Sequence, residues 1–455
     1  MADGAKSDHP AVQKQLDRLS LLARGGDTLG LERISAVLKR FDNPQDAMPP
    51  VFHVAGTNGK GSTCAFLRAA IEAEGLKAHV YTSPHLIEFN ERIRIAGSLI
   101  EDEYLAELLK RVLDVSDDIC PTFFEATTTA ALLAFTENTA DACILEVGVG
   151  GRLDATNIIN NPAATGIAAL GIDHKEFLLD PDEEGAPTDD LARIAWKKAG
   201  IAKKGAPLLT QKYRDDMMSV ISGCCANVGA DFLPRGDIWD AAVYEGQLHY
   251  RDKTGKLNLP LPALSGSHQA DNAALAIAML RHQDSVQISE GALKAAMGWA
   301  KWPARMQKLD HGPLTALAPD AEIWLDGGHN LSAAAQIAEF FNSSCEQNHP
   351  VHLVLGMLSN KDAQGFIEIL GRETSQFKSM HAIPIIGHEM HQPSDLTAMA
   401  KGAGFQQTGI ADGVAQALSL WQSDQRPGDP YGNILIAGSL YLAGEALKAN
   451  DQVPD

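Results

Sequence analysis

The nine residues AGTNGKGST (55–63) combine three glycines, a lysine and several hydroxyls at the end of an apolar run, VFHVA (51–55). Gly56, Gly59 and Gly61 let the backbone turn tightly and present N–H groups to an anion. Lys60 adds a point charge, and a helix expected from near Ser62 offers the positive end of its dipole. The chemistry this combination serves is phosphate binding, and hence nucleotide binding. The spacing departs from GxxxxGK[ST], because Val54 stands at the first glycine and Gly61 separates Lys60 from Ser62. Two further segments, TSPH (82–85) and LEVGVGGRLDATN (145–157), follow or end expected strands, where open α/β sheets bind ligands. Ser83 and Glu146 are hard oxygen donors of the kind magnesium takes alongside phosphate and water. A carboxylate in an apolar strand can equally be a paired core group. GVGG (148–151) is by itself a common turn pattern, and the lone His174 after TGIAALGI (165–172) is of a kind more often structural than ligating. No Ser-His-Asp or Cys-His arrangement suggests a nucleophile.

The elements that must position these residues read as α/β. VFHVAG (51–56), ACILEVGVG (142–150) and TGIAALGI (165–172) look like buried parallel strands separated by helical patterns. The rhythm restarts with EIWLDGG (322–328), VHLVLG (351–356), SMHAIPII (379–386) and NILIAGS (433–439). Two domains are expected, 1–300 carrying the phosphate loop and 301–455 a second α/β sheet. The boundary lies in MGWAKWPARMQ (297–307), where a hinge would open a cleft. DPDEEGAPTDD (180–190) reads as a solvated acidic insertion.

At 455 residues, with 45% hydrophobic and 21% charged, the chain has the composition of a globular protein with sizeable cores. The net charge of −20 argues against nucleic-acid binding, which rests on Lys and Arg neutralising phosphates. No uncharged apolar stretch reaches the roughly 18 residues a membrane span needs. The start MADGAKSDHP lacks a leader pattern, so a cytoplasmic location is expected. Cys64, Cys120, Cys143, Cys224, Cys225 and Cys345 show no CxxC spacing and read as buried thiols.

The order AGTNGKGST, TSPH, TFFEATT (122–128), LEVGVGGRLDATN, GIDH (171–174), KKAGIAKKG (197–205), GSHQADNAALA (266–276), WPARMQ (302–307), LDGGHN (325–330) and GSLYLAGEAL (438–447) resembles the folylpolyglutamate synthase and dihydrofolate synthase family across nearly the whole chain. The resemblance implies a fold of the Mur-ligase superfamily: an N-terminal P-loop ATPase domain of the Mur-ligase central type plus a smaller C-terminal Rossmann-like domain. Muramyl ligases carry a further domain before the P-loop. Here 55 residues precede Gly56 and include LGLERI (29–34), which matches the folate-ligase start.

The same resemblance implies residue roles. Thr57, Asn58, Gly59, Lys60, Gly61 and Ser62 would hold the phosphates of ATP. Ser83 and Glu146 would bind one magnesium ion, and His174 a second shared with Glu146. Lys198 matches a lysine carried as a carbamate, an anionic ligand where an ammonium would repel the metals. Asn272, Arg305, Asp326 and His329 match nucleotide-contacting positions, with Arg305 reaching phosphate and Asp326 the ribose. Leu29, Gly30, Leu31, Glu32, Arg33, Thr122, Phe123, Phe124, Glu125, Leu153, Asp154 and Ala155 match the pterin pocket, where the two phenylalanines could stack on the ring. Lys60, Glu146, His174, Lys198 and Arg305 would carry catalysis. The sequence departs from the family at Lys197, usually Glu, at Ala304, usually Gly, and at Gln307, usually Glu. The acidic insertion also falls between His174 and Lys198.

The implied activity is ATP-dependent ligation of L-glutamate to dihydropteroate and to tetrahydrofolate or its polyglutamates through an acyl phosphate. It would be carried out by a monomer that acts on small molecules. A monofunctional folylpolyglutamate synthase, a muramyl-type ligase and a non-ligase P-loop protein are the alternatives.

Overall fold

The structure, a computed structural model, describes residues 6–22, 29–179, 183–344, 349–374, 376–426 and 431–454. The chain divides into two compact units: residues up to Ala263 with Gln269–Lys301, and Leu264–His268 with Trp302 onward.

The first unit is built on eight strands: β1 Val51–Ala55, β2 Ala78–Tyr81, β3 Ile93–Ile95, β4 Ser98–Leu99, β5 Ala142–Glu146, β6 Ala164–Ile167, β7 Pro207–Thr210 and β8 Asp231–Pro234. Their spatial order is β4-β3-β2-β5-β1-β6-β7-β8, parallel from β2 to β8 with β3 and β4 added antiparallel at one edge. Every residue of β1 and β5 is buried, as expected of parallel strands covered on both faces. One face packs on the helices Pro10–Leu22, Glu32–Lys39, Asp102–Asp114 and Phe123–Glu137, with Leu38, Leu109, Leu132 and Phe135 in the shared core. A second core gathers Ala55, Ile167, Ala195, Leu208 and Ile221 beneath the helices Asp190–Ala199 and Asp215–Val228. From β1 the chain crosses to β2 on one side and later reaches β6 on the other. The strand order therefore reverses at β1, and the C-terminal ends of β5, β1 and β6 flank the crevice where such sheets bind ligands.

A three-stranded antiparallel meander, β9 Trp239–Tyr244, β10 Gln247–Asp252 and β11 Gly255–Pro260, completes this unit. The second unit has β12 Gln307–Lys308, β13 Ala321–Leu325, β14 Val351–Leu355, β15 Phe377–Ala382, β16 Gln407–Ile410 and β17 Gly432–Ala437. Their order is β12-β13-β17-β14-β15-β16, with only β12 antiparallel. Its core interlocks Phe341, Phe366, Phe377 and Phe405 around the fully buried β14.

Several sequence expectations change. The run 142–150 is strand only to Glu146, where its glycines begin a turn, and the run 379–386 is strand only to Ala382, in a strand that starts at Phe377. The run 165–172 is strand only to Ile167, because its second half leaves the sheet to fold over the phosphate loop. Cys120 is exposed, not buried, because it occupies a turn (φ 52) before Pro121; Cys345 lies outside the described residues. Within 180–190, residues 180–182 also lie outside them. Glu183 is not simply solvated, since it forms an ion pair with the buried Lys197. Among the described residues no helix is long and apolar enough to cross a membrane.

Two strand histidines carry a pH consequence. His352 in β14 is buried, with Nδ1 2.6 Å from Ser379 Oγ and Nε2 2.9 Å from His381 Nδ1; burial pushes it down to about 3. His53 in β1 is likewise held at about 3. Between the ordinary histidine value near 6.5 and about 3, the unfolded chain binds protons that the folded chain refuses. Stability is therefore lost as pH falls through that window, by about 1.4 kcal/mol per pH unit for each histidine. Urea unfolding midpoints should fall steeply from pH 7 to pH 5, and His352→Gln should flatten the slope; a pH-independent midpoint would exclude this origin.

Candidate active site

The phosphate loop turns immediately after β1. Gly59 adopts φ 81 at the N-cap of the helix Lys60–Ala73, and a Cβ there would lie 2.3 Å from Asn272 Oδ1. Only glycine meets both demands. The helix begins at Lys60, two residues earlier than expected, so its first amide groups have no intrahelical partner and face the loop. Thr57 is committed elsewhere. Its amide donates to Ala169 O at 2.8 Å, its hydroxyl donates to Gly171 O at 2.7 Å, and the hydroxyl accepts from Gly171 N at 3.1 Å. Its side chain thus clips the loop to the segment leaving β6.

Three charged groups meet there: Lys60, Glu146 and Lys198. Lys60 Nζ lies 4.0 Å from Glu146 Oε1 and donates to Thr57 O at 3.4 Å. The other Glu146 oxygen accepts from the Ser83 amide at 3.3 Å, which brings the ends of β2 and β5 together. Lys198 Nζ donates to Gly56 O at 2.9 Å. Lys198 is buried, and that burial, with the charge of Lys60 nearby, pushes it down to about 7; Asp173 and Asp154 act weakly the other way. The insertion at 180–190 therefore has not displaced Lys198 from the loop. Its helix is locked in place by the GVGG turn. A Cβ on Gly151 would lie 3.1 Å from both Lys197 O and Lys198 O, and Arg152 N donates to Lys197 O at 2.8 Å. His174 ends the 168–174 segment in the left-handed region (φ 49), beside the Asp173 that Lys198 senses.

Glu146 and Ser83 fit magnesium: one carboxylate and one hydroxyl at adjoining strand ends, beside a loop made for phosphate. Among the described residues no three His, Cys, Asp or Glu side chains form a metal cluster. The expected set contains only two of those types.

The expected pterin segments also adjoin. Arg33 makes a bidentate pair with Glu125 (Nε–Oε2 2.9 Å, Nη2–Oε1 2.8 Å), tying 29–33 to the helix Phe123–Glu137. Thr122 and Glu125 form a capping box at its start. Glu125, buried and fully engaged, therefore shapes the region rather than presenting a free carboxylate. Phe123 is buried too, packed edge-on to Phe89 and under the Arg92 guanidinium, so the expected stacking on a ligand does not extend to this ring. Phe124 is half-buried and stacks on Tyr81 at 5.9 Å. Leu29 and Leu31 are half-buried, Gly30 is buried and Glu32 is exposed. Leu153 is half-buried, whereas Ala155 and Asp154 are buried. Burial holds the Asp154 carboxyl above its ordinary value against the hydrogen bonds it accepts.

In the second unit Asp326 Oδ2 accepts from Met306 N at 2.8 Å and Oδ1 from Gly328 N at 2.6 Å. Ala304 holds φ 56, the reason glycine suits that position, and Gln307 Oε1 accepts from Ala304 N at 2.9 Å, as a glutamate could. Arg305 is half-buried and makes no side-chain hydrogen bond or ion pair among the described residues. His329 Nδ1 lies 3.0 Å from Gly327 O. In the first unit, Asn272 Nδ2 donates to Gln269 Oε1 at 3.0 Å. Sequence reasoning passed over His53, Tyr81 and Thr156; a histidine within an apolar strand was the available signal for the first.

A family model described as dihydrofolate synthetase, C-terminal domain, matches residues 307–449. The dihydrofolate synthase/folylpolyglutamate synthase of Escherichia coli is 32% identical over 93% of this chain and 92% of its own. That of Bacillus subtilis is 30% identical over 92% and 94%. Among solved structures, Escherichia coli FolC in complex with DHPP and ADP superposes with a TM-score of 0.83 at 30% identity, covering 96% of this chain and 97% of that one. A bifunctional folylpolyglutamate synthase/dihydrofolate synthase with Mn, AMPPNP and L-glutamate bound gives 0.79 at 28%, covering 96% and 97%.

Gly59→Ala should weaken nucleotide binding at least about tenfold, because its Cβ must displace Asn272 and its backbone is strained. Fluorescent-nucleotide titration of the folded variant checks this, and unchanged affinity would remove the loop from the site.

Proposed function

The chain belongs to the dihydrofolate synthase/folylpolyglutamate synthase family of ATP-dependent ligases, and we propose that it joins L-glutamate both to dihydropteroate, forming dihydrofolate, and to tetrahydrofolate and its polyglutamates. The observation that carries this reading is the meeting, at the reversal point of the first sheet, of a phosphate loop, the Glu146 carboxylate and the half-neutral Lys198.

In this reading the amides at the start of the helix Lys60–Ala73 and the Lys60 ammonium hold the ATP phosphates. The γ-phosphoryl group passes to the acceptor carboxylate, breaking its bond to the β-phosphate oxygen and leaving ADP and an acyl phosphate. The glutamate amine then attacks the activated carbonyl, phosphate departs, and the amine gives up a proton as the amide forms. The protein's task is positioning and charge balance rather than covalent catalysis. Magnesium bound by Glu146 and Ser83, with His174 at a second position, would neutralise phosphate charge. In the second unit, Arg305 keeps a guanidinium available for an anion, and Asp326 fixes the turn that carries it. Phe124, with Leu29 and Leu31, supplies the apolar wall of the pterin pocket. Free thiols suit a reducing compartment, so we assign the enzyme to the cytoplasm.

Lys198 near 7 is roughly half neutral amine at neutral pH. That form adds carbon dioxide: an N–C bond forms, a proton leaves, and a carbamate oxygen becomes available to metal. As pH falls through about 7 the amine is protonated and the carbamate is lost.

With ATP, magnesium and glutamate, both dihydropteroate and tetrahydrofolate should gain one glutamyl mass with matching ADP release. A gain on one acceptor alone would make the enzyme monofunctional, and none on either would refute ligation. Lys60→Ala and Glu146→Ala should each reduce turnover at least about 100-fold. Carbon dioxide depletion should lower activity more at pH 6.5 than at pH 8, with bicarbonate restoring it; indifference to carbon dioxide would exclude the carbamate.

A further inference from the structure

His53, in the middle of the fully buried β1, has Nε2 2.8 Å from Thr156 Oγ1, and that hydroxyl donates to Asp154 Oδ1 at 2.5 Å. A hydroxyl carries one hydrogen. With that hydrogen on the carboxylate, His53 Nε2 must be the donor, which fixes the neutral ring as the Nε2–H tautomer. The bare Nδ1 then has no hydrogen to place, in keeping with its lack of a partner. Burial keeps the ring uncharged.

The chain of donors continues past the carboxylate. Asp154 Oδ1 also accepts from Thr156 N at 3.0 Å, while Oδ2 accepts from Val149 N at 2.8 Å and the Gly148 amide faces the same group. Asp154, 1% exposed, is thus tied to the backbone on both sides of it. What it holds is the 148–149 backbone. A Cβ on Gly148 would lie 2.6 Å from the tip of the Phe124 ring, so that ring rests directly on the backbone that Asp154 fixes.

We propose that His53 and Thr156 are positioning residues for the folate acceptor, acting through Asp154 on the Gly148–Val149 backbone and so on the Phe124 ring that rests on it. The inference depends on the pterin-pocket reading given above. The donor order explains why a polar side chain sits inside the central strand.

Steady-state kinetics with dihydropteroate, ATP and glutamate varied in turn test this in Thr156→Val, Thr156→Ser, His53→Leu and Phe124→Ala, with folding checked by thermal melting. Losing one charge-assisted hydrogen bond should raise the acceptor KM about tenfold in Thr156→Val, leaving the KM for ATP within about twofold. Thr156→Ser, which keeps the hydroxyl, should restore it. His53→Leu should give about a threefold rise and remains readable should Thr156→Val fail to fold. Equal changes in the ATP and acceptor KM values, or none in the acceptor's, would overturn the relay. If Phe124→Ala leaves the acceptor KM unchanged, the pocket reading itself fails and the relay with it; if it raises that KM while the Thr156 and His53 variants do not, only the relay fails.

Discussion

Two lysines share the turn after β1, and their proximity is the constraint around which the first unit is arranged. Lys60 comes from the loop itself and Lys198 from a helix more than a hundred residues later; each donates to a loop carbonyl, Thr57 O and Gly56 O. One carboxylate, Glu146, stands beside them at 4.0 Å from Lys60. Burying a lysine beside another is unfavourable until an anion arrives or one ammonium loses its proton. Burial beside Lys60 pushes Lys198 down to about 7, toward the second course, and the loop's amides and helix N-terminus invite the first. An anion at the loop would relieve this crowding of positive charge. That makes nucleotide binding the natural reading even where the P-loop spacing is irregular.

Holding Lys198 at that point requires rigid packing across a long stretch of chain. The parallel sheet delivers β1, β5 and β6 side by side, so that residues 56–60, Glu146 and Gly171 emerge at one edge. Thr57 clips the loop to Gly171, and the GVGG turn presses its backbone against Lys197 and Lys198. The glycines at 148, 150 and 151 therefore serve close approach of backbone to helix and ring, and they need not touch phosphate. A glycine-rich run after a strand has two physical uses, and only the neighbours it packs against distinguish them.

Much of this was legible in the sequence because it rests on local rules. Apolar runs marked β1, β13, β14 and β17 to within three residues and the start of β5, while its glycine-rich end proved to be a turn. What escaped depends on long-range placement. The meander Trp239–Pro260 has a hairpin signal at Glu245-Gly246, both with positive φ, but its alternating strands lack the apolar continuity of the sheet strands. Phe123 and Phe124 are chemically identical neighbours, and only the direction of the helix Phe123–Glu137 sends one ring into the core and leaves the other half-buried. Asp154 and Glu125 entered the expected pocket through the family resemblance, which says nothing of the partners each carboxylate finds. Here Arg33, Thr122, Thr156 and backbone amides from distant segments satisfy them.

The departures from the family pattern obey the same accounting of partners. Gln307 in place of glutamate still offers an oxygen to Ala304 N, a bond that needs an acceptor but not a charge. Ala304 in place of glycine accepts a left-handed backbone; that strain is of order 1 kcal/mol and is held by the Gly327 N to Ala304 O bond. Lys197 in place of glutamate would leave a buried ammonium one residue from Lys198, and the carboxylate it needs comes from Glu183 in the acidic insertion. Insertion and substitution therefore meet in one ion pair. The segment that interrupts the family's pattern supplies the counter-charge that the altered helix position demands.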